Sequence, residues 1–331
     1  MGTYDFVKDT GRDKYWQLKE KEKKMMLDPK TGRLKKEYER YVKCPVCEVD
    51  DTSFAFEKDG FTYVKCLKCG MLYINPQLDE AKIISHYRSL PSQDYWVDVL
   101  QTPRQLEYDT KKFRGALKEL SLFAPTGRIL DIGCSLGIFL DLARKAGWDT
   151  CGIELNKKAR RVAREKFGLD ILDKPIQDLD LEDESFDVIT LWEVLEHLTQ
   201  PHEILRESVR LLKPGGMIVI LVPNCDSLAV RIMQDKAATF GWGHLWYFTP
   251  DSLRTMLEKY NLEIFKVSTE LGEMDTLMNY LQFDDPYIGK NVKRQYKSPY
   301  LLPEPFKKKL AELICAHNMG YKLRVYAKKK R

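Results

Sequence analysis

No apolar run in the chain approaches the ~18 uninterrupted residues of a membrane helix. The first residues, MGTYDFVKDTGRDKYW, hold no apolar signal region. These two absences lead us to expect a soluble, cytoplasmic protein with no transmembrane segment. There is no internal repeat. Acidic residues are nearly missing from the C-terminal end: residues 287–331 hold 13 Lys/Arg against 2 Asp/Glu. Residues 1–43 hold 13 basic and 8 acidic residues, and the net charge of +5 leaves the stretch between the two ends at −11. Basic ends suit a phosphate-rich partner, an anionic membrane surface or simple solvation. At 44% hydrophobic residues the chain can build a core, which excludes a disordered protein, and 331 residues allow roughly two domains.

Cysteine is present, but not as a disulfide framework. Four of the eight cysteines are scattered among apolar or loop residues (Cys134, Cys151, Cys225, Cys315), which suits a reducing compartment. The other four form two C-x2-C hooks, Cys44/Cys47 and Cys66/Cys69, with 18 residues between them. The stretch SFAFEKDGFTYVKC reads as two short strands around an Asp59-Gly60 turn. Two hooks on a hairpin bring four thiolates to tetrahedral positions about 2.3 Å from one zinc ion. Four thiolates leave no open position, so the expected Zn2+ is structural.

The expected organisation is a basic extension over 1–40, a zinc ribbon over 41–78 and a helical linker or lid over 79–124. From residue 125 to 331 short apolar strands alternate with amphipathic helices, interrupted over 271–320. The strands are RILDIG, TCGIEL, FDVITLW, MIVILVP, LEIFKVS and KLRVYAK, with a weaker one near Leu169–Leu172. Asn156 and Thr249 stand where helix caps belong. This alternation predicts an α/β fold, a doubly wound Rossmann-like sheet.

ILDIGCSLGIFLDLARKAGW reads as strand, tight turn, helix, with Gly133 and Gly137 in the turn. Asp131 ends that strand, and 17 residues after Gly137 the next strand ends in Glu154. Both ends face one crevice in a doubly wound sheet, where a carboxylate accepts the hydroxyls of a ribose. Three readings compete for the turn. A dinucleotide site wants G-x-G-x-x-G, yet Ser135 and Ile138 occupy the second and third glycine positions. GCSLG is also a literal G-x-S-x-G nucleophile elbow, with Ser135 as the nucleophile of a serine hydrolase and His244 or His317 as its base. That leaves the acidic second strand end without a role.

The third reading is a resemblance. Over roughly residues 105–331, LDIGCSLG resembles the first motif of the class I S-adenosylmethionine-dependent methyltransferases, usually D-x-G-x-G-x-G, with Ser135 in place of the middle glycine. The resemblance implies a seven-stranded sheet and S-adenosylmethionine as cofactor. It implies that Asp131, Gly133, Cys134, Ser135 and Gly137 line its methionine and ribose parts, and that Glu154 is the ribose-binding acid. Asp178 or Gln177 would lie near the adenine, and Trp192 and Glu193 near the methionine end. A zinc ribbon ahead of such a domain is similar to sugar methyltransferases of antibiotic and surface-polysaccharide pathways.

LWEVLEHL places Glu193, Glu196 and His197 where the strand FDVITLW leaves the core. One helical turn would present all three. These residues could simply flank the cofactor and pair locally. With His244, from GWGHLWYFTP, they also suit a divalent ion such as Mg2+, Mn2+ or Fe2+. E-x-x-E-H with a later histidine resembles the metal site of small-RNA 2'-O-methyltransferases, and is similar to an E-x-x-E-H of ubiquinone-pathway O-methyltransferases. In that reading the ion chelates two neighbouring substrate oxygens and acidifies the attacked hydroxyl. Without an ion, His197 or His244 is the expected catalytic base. Trp242, Trp246, Tyr247 and Phe248 around His244 either stack on a sugar or flat ring or pack under the loop.

The leading expectation is O-methylation of a small polar acceptor, a carbohydrate or sugar nucleotide first. Sugar C-methylation and RNA 2'-O-methylation are the alternatives. The −11 body speaks against RNA, whose phosphates need basic residues around the mouth of the site. The acceptor and the oligomeric state are not readable in the chain.

Overall fold

The computed structural model describes residues 10–79, 91–271 and 303–330. Residues 80–90 of the expected linker and most of the 271–320 interruption lie outside them. Helix α1 (Arg12–Met26) is followed by a two-residue strand, β1 (Glu39–Arg40). The cysteine hairpin is β2 (Thr52–Lys58) and β3 (Phe61–Cys66), followed by β4 (Leu72–Ile74) and β5 (Gln77–Leu78). Lys58 pairs with Phe61 across the turn. Asp59 and Gly60 both have positive φ, 54° and 83°, as a two-residue I′ hairpin loop requires. Two helices, α2 (Pro91–Leu100) and α3 (Pro103–Leu120), lead into the main sheet.

That sheet begins with β6 (Arg128–Ile132), α4 (Ile138–Lys145), β7 (Asp149–Ile153) and α5 (Lys157–Phe167). It continues with β8 (Phe186–Trp192), α6 (Pro201–Leu211), β9 (Leu212–Pro223) and α7 (Leu228–Met233). Then come β10 (Trp246–Tyr247), α8 (Pro250–Glu258), β11 (Leu262–Glu270), α9 (Glu304–Ala316) and β12 (Lys322–Lys329). Strand order is β11-β12-β9-β8-β6-β7. The β7–β6–β8–β9 run is parallel, and β12 inserts antiparallel between β9 and β11. The seventh strand expected near Leu169–Leu172 is reduced to a single parallel bridge, Ile153 to Leu172, at the open edge. The expected caps are in place: Asn156 Oδ1 accepts the Ala159 N–H, and Thr249 forms a capping box with Ser252.

The central strands are buried on both faces, so they read as continuous apolar runs. The ribbon does not carry a core of its own. One apolar cluster runs from Leu34, Phe61, Tyr63 and Tyr73 through Trp246 and Phe248 to Leu191, Ile220 and Leu323. The junction is a β-sheet: β10 adds to the ribbon as its fourth strand, order β10-β4-β3-β2, with Trp246 opposite Tyr73 and Tyr247 opposite Leu72. No helix among the described residues is long and apolar enough to cross a membrane.

Candidate active site

The parallel strands β6, β7 and β8 end at one level, because Asp131 is in register with Gly152 and with Thr190. The chain after β6 turns sharply through Gly133 (φ 75°), Ser135 (φ 51°) and Gly137 (φ 76°) into α4. A Cβ on Gly133 would stand 2.6 Å from Val194 Cγ2, and one on Gly137 2.5 Å from Leu169 Cδ1. Only glycine allows these approaches together with the left-handed backbone. Glu154, one residue past β7, ties the crevice together. Its Oε2 accepts the Ser135 N–H at 3.0 Å and its Oε1 the Asn156 N–H at 2.7 Å. A carboxylate has about four acceptor positions, so capacity remains for hydroxyls of a ligand. Asp131 is buried, accepts the Thr190 hydroxyl at 2.7 Å, and is pushed up to about 8 by burial.

Trp192 packs edge-on against Phe139 and Phe113, and its buried Nε1–H has no acceptor among the described residues. Cys134 is buried under the turn, where enclosure raises its thiol well above the usual range. Gln177 and Asp178 lie exposed on a 3-10 turn, Ile176–Asp178, in the loop after Leu172. A close glycine turn, a carboxylate with acceptor capacity to spare and an orphaned donor meet at the strand ends, as the resemblance to the methyltransferases led us to expect. They define a nucleoside-cofactor enzyme of the class I methyltransferase architecture.

Beyond β8 the chain behaves differently from the expected single helical turn. Glu193 takes a positive φ of 59°, and the 3-10 turn Leu195–His197 begins only after Val194. A non-glycine residue in this region is strained, and such strain collects at functional sites. Glu193 is therefore not on the face of Glu196. Its carboxylate pairs with Lys322 at 2.8 Å. Burial opposes its charge, but Lys322 and Lys112 hold it well below the usual carboxylate range. The expected fourth metal ligand is thus absent from the cluster.

Glu196, His197 and His244 do come together: one ligand atom from each lies within 4.8 Å of the others. Both imidazoles are set by backbone carbonyls. His197 Nδ1 is 2.6 Å from Gly243 O, and His244 Nδ1 is 2.8 Å from Thr239 O. A carbonyl only accepts, so each Nδ1 donates and each Nε2 carries its lone pair toward the cluster. Carbonyl-oriented imidazoles of this kind are the usual supports of metal ligands. Burial lowers His197 to about 4 and His244 to about 3, the latter helped by its neighbouring imidazole. Both are neutral at pH 7, which suits a ligand and weakens either as a free base. Glu196 is 1% exposed, and neither of its oxygens finds a hydrogen-bond donor among the described residues. Burial and the charge of Glu193 push it up to about 8.

The ribbon holds this cluster in shape. Leu245 donates its N–H to Glu196 O at 2.8 Å, and its carbonyl accepts the Ile74 N–H of the ribbon at 3.1 Å. Trp246 Nε1 donates to Leu198 O at 2.6 Å, and Tyr247 Oη to His244 O at 2.9 Å. Trp246, Tyr247 and Phe248 are consequently core residues between ribbon and main sheet, not the walls of an open sugar site. Only Trp242 of that group is half-buried, stacked beside Phe61. In the ribbon, Cys44 and Cys69 sulfurs are 3.4 Å apart, as are Cys47 and Cys66. Ligands at ~2.3 Å around a tetrahedral ion would stand roughly 3.8 Å apart, so the four thiols fit one zinc with little movement.

Three residues escaped the sequence reading. Lys322 starts β12, and an antiparallel strand starts where parallel strands end, so Lys322 falls opposite Pro223 at the crevice. Lys112, on α3, is close enough to act electrostatically on both Asp131 and Glu193. Lys19, on α1, reaches the loop of His244. Strand direction was the available signal for Lys322. Nothing local marked the other two.

Comparison with known proteins agrees with the geometry. The pattern of a family described as "Methyltransferase domain" matches residues 105–267. The ubiquinone biosynthesis O-methyltransferase of Cereibacter sphaeroides is 32% identical over 206 residues, 54% of this chain and 83% of that protein. The enzyme of the same name from Bordetella avium is 34% identical over 115 residues, 33% of this chain and about half (47%) of that protein. In a solved complex of the Haloferax volcanii Trm112 methyltransferase activator, one chain shares the fold. Its TM-score is 0.50 at 16% identity, with 72% of this chain and 96% of that chain covered. The chain belongs to the S-adenosylmethionine-dependent methyltransferases, and the serine hydrolase reading of GCSLG is set aside. In the structure the Ser135 backbone N–H is engaged by Glu154.

Proposed function

We propose that the protein transfers a methyl group to a hydroxyl oxygen of a small acceptor, with a divalent ion held by Glu196, His197 and His244. The observation that carries this reading is the buried Glu196 carboxyl, with two orphaned oxygens, facing two imidazoles whose Nδ1–H groups are committed to carbonyls. An unpaired buried carboxylate costs several kcal/mol, so this group must hold either a proton or a cation. Asp131, the Gly133–Gly137 turn and Glu154 would hold the cofactor, and Cys44, Cys47, Cys66 and Cys69 a structural zinc.

When bound, S-adenosylmethionine supplies an electrophilic sulfonium methyl that needs little activation. The ion would acidify an acceptor hydroxyl, and a second oxygen beside it would complete the chelate. The protein's own part is alignment: the crevice holds the donor, and the Glu196–His197–His244 trio places the acceptor oxygen. The names of the relatives favour oxygen over carbon as the methylated atom. They lend no support to a carbohydrate, so the acceptor class proposed is a vicinal diol, aromatic or aliphatic.

The test is methyl transfer to a panel of catechols and sugars, with chelator and after return of Mg2+ or Mn2+. Chelation is expected to abolish transfer while S-adenosylhomocysteine still binds, and the ion to restore it. Full activity in chelator would end the metal reading. Transfer to carbon alone would end the O-methyl reading.

A further inference from the structure

Helix α1 brings into the site a cation for which the chemistry above has no use. The Lys19 ammonium stands 3.4 Å from the centroid of the Trp242 ring and 3.5 Å from where a Cβ on Gly243 would be. Gly243 supplies the carbonyl that orients His197, and the next residue is His244. Lys19 is also among the charges that depress His197. Glu22, the carboxylate that acts on Lys19 electrostatically, is hydrogen-bonded elsewhere: it accepts the Ser92 N–H at 2.9 Å and the Ser92 hydroxyl at 2.6 Å. Lys23, one turn on, pairs with Glu20 and Asp59. No carboxylate pairs with Lys19 among the described residues. Enclosure pulls its ammonium down to about 8, against the opposing charge of Glu22.

The charges around the cluster do not balance. Glu193 is matched by Lys322. Glu196 offers one negative charge at most, and Glu22, which acts on Lys19 electrostatically, a second. A divalent ion on the trio, together with Lys19, leaves a surplus of one positive charge. An enclosed site does not keep uncompensated charge cheaply, so a ligand that brings negative charge is favoured there. Lysine receives carboxylate and phosphate alike, as a point charge, and the Trp242 face beneath the ammonium holds it in place.

We infer that Lys19 is a substrate-binding residue, which receives a carboxylate or phosphate group of the acceptor whose hydroxyl lies at Glu196, His197 and His244. This rests on reading that trio as the acceptor site. The substrate class then narrows to an acidic diol. A purely structural Lys19, stapling α1 to the loop, predicts no dependence on the charge of the ligand.

The test is calorimetry on the full chain loaded with S-adenosylhomocysteine and Mg2+. The probes are protocatechuate, a catechol with a carboxylate, and its neutral amide. The wild type is expected to bind the acid about tenfold tighter or more, a difference of about 1.4 kcal/mol. Lys19→Met is expected to erase that preference and to leave the affinities for the amide and for S-adenosylhomocysteine within about twofold. Lys19→Arg should restore most of the preference, since the charge returns. A sugar phosphate set against the free sugar tells whether phosphate serves as well as carboxylate. Equal affinity of the wild type for acid and amide, or no binding of either, overturns the proposal. So does a Lys19→Met protein that loses both probes alike. Chelator separates the two readings: if it leaves amide binding unchanged, the ion falls while the charge preference for Lys19 stands.

Discussion

At Glu196 the choice between a proton and a cation is set by enclosure. Glu196→Gln keeps the shape and removes the charge, so ion binding and methyl transfer are expected to fall by at least about 100-fold, beyond the ~10–100-fold of a lost supporting residue. Affinity for S-adenosylhomocysteine should stay within about twofold, since Glu154 and the glycine turn are untouched. Kinetics and calorimetry on the one variant check both halves, and loss of cofactor affinity would count against the division of roles. Asp131 gives a pH signature. An unfolded aspartate titrates near ~3.9, whereas burial pushes folded Asp131 up to about 8. Between these values the folded state holds a proton that the unfolded state releases. Asp131 alone therefore lowers the stability of the ligand-free protein as pH rises from about 4 to about 8. His197 and His244, lowered to about 4 and about 3 from an unfolded value near ~6.5, act in the opposite sense up to that value, so the net fall is expected from about 6.5 to about 8. Asp131→Asn keeps the oxygen that Thr190 uses and cannot titrate, so its melting temperature should decline less over that window. Glu196, also pushed up to about 8, accounts for the slope that remains. A profile as steep as wild type would place the proton elsewhere.

At the scale of elements, two turns carry the site, and both bend the backbone against ordinary preference. The β6–α4 turn depends on Gly133, where a methyl group would meet Val194 at 2.6 Å and φ is 75°. Gly133→Ala is expected to cost about 1–2 kcal/mol from the backbone alone and to weaken S-adenosylhomocysteine about tenfold or more. Adding Val194→Ala relieves the clash but not the left-handed φ, so recovery should be partial. Denaturation and calorimetry on the single and double variants measure the two contributions, and full recovery would show that the turn tolerates a side chain. The β8 exit is the second turn. Glu193 was expected to share a helical face with Glu196 because the two are three residues apart. The left-handed step at Glu193 breaks that periodicity before the 3-10 turn begins. Spacing in a sequence places two side chains together only when the backbone between them is regular.

For the whole molecule, the ribbon and the catalytic sheet are one structure. The loop bearing His244 ends in β10, and β10 is a ribbon strand. Loss of the zinc proposed for the four cysteines should therefore disable the trio while sparing the crevice of β6 and β7. Cys66→Ser is expected to lose methyl transfer and divalent-ion binding at the trio, yet to bind S-adenosylhomocysteine within about threefold of wild type. Calorimetry and activity check this, and an active Cys66→Ser protein would show that the ribbon is dispensable for the site. The uneven charge is also settled inside the fold. Basic residues near the N-terminus pair with the hairpin, as Lys23 does with Asp59 and Arg33 with Glu57. Those of β12 pair with the acidic body, Lys322 with Glu193, Arg324 with Glu119 and Lys329 with Glu184. The exposed pair Arg33–Glu57 contributes little stability, but together these pairs leave fewer cations for a nucleic-acid partner.

The chain itself determined the features that depend on local backbone and side-chain chemistry. These are the cysteine hairpin with its Asp59-Gly60 turn, the alternation of strands and helices, the glycine bend with Glu154 at the next strand end, and the caps at Asn156 and Thr249. Each follows from residues a few positions apart, where spacing and propensity act directly. Tertiary structure alone decided which distant residues meet: β10 joining the ribbon, Lys322 neutralising Glu193, His244 completing the cluster without Glu193, and Lys19 arriving from α1. Those contacts join segments far apart in the chain, and their free energy comes from burial and charge pairing that exist only once the elements have packed.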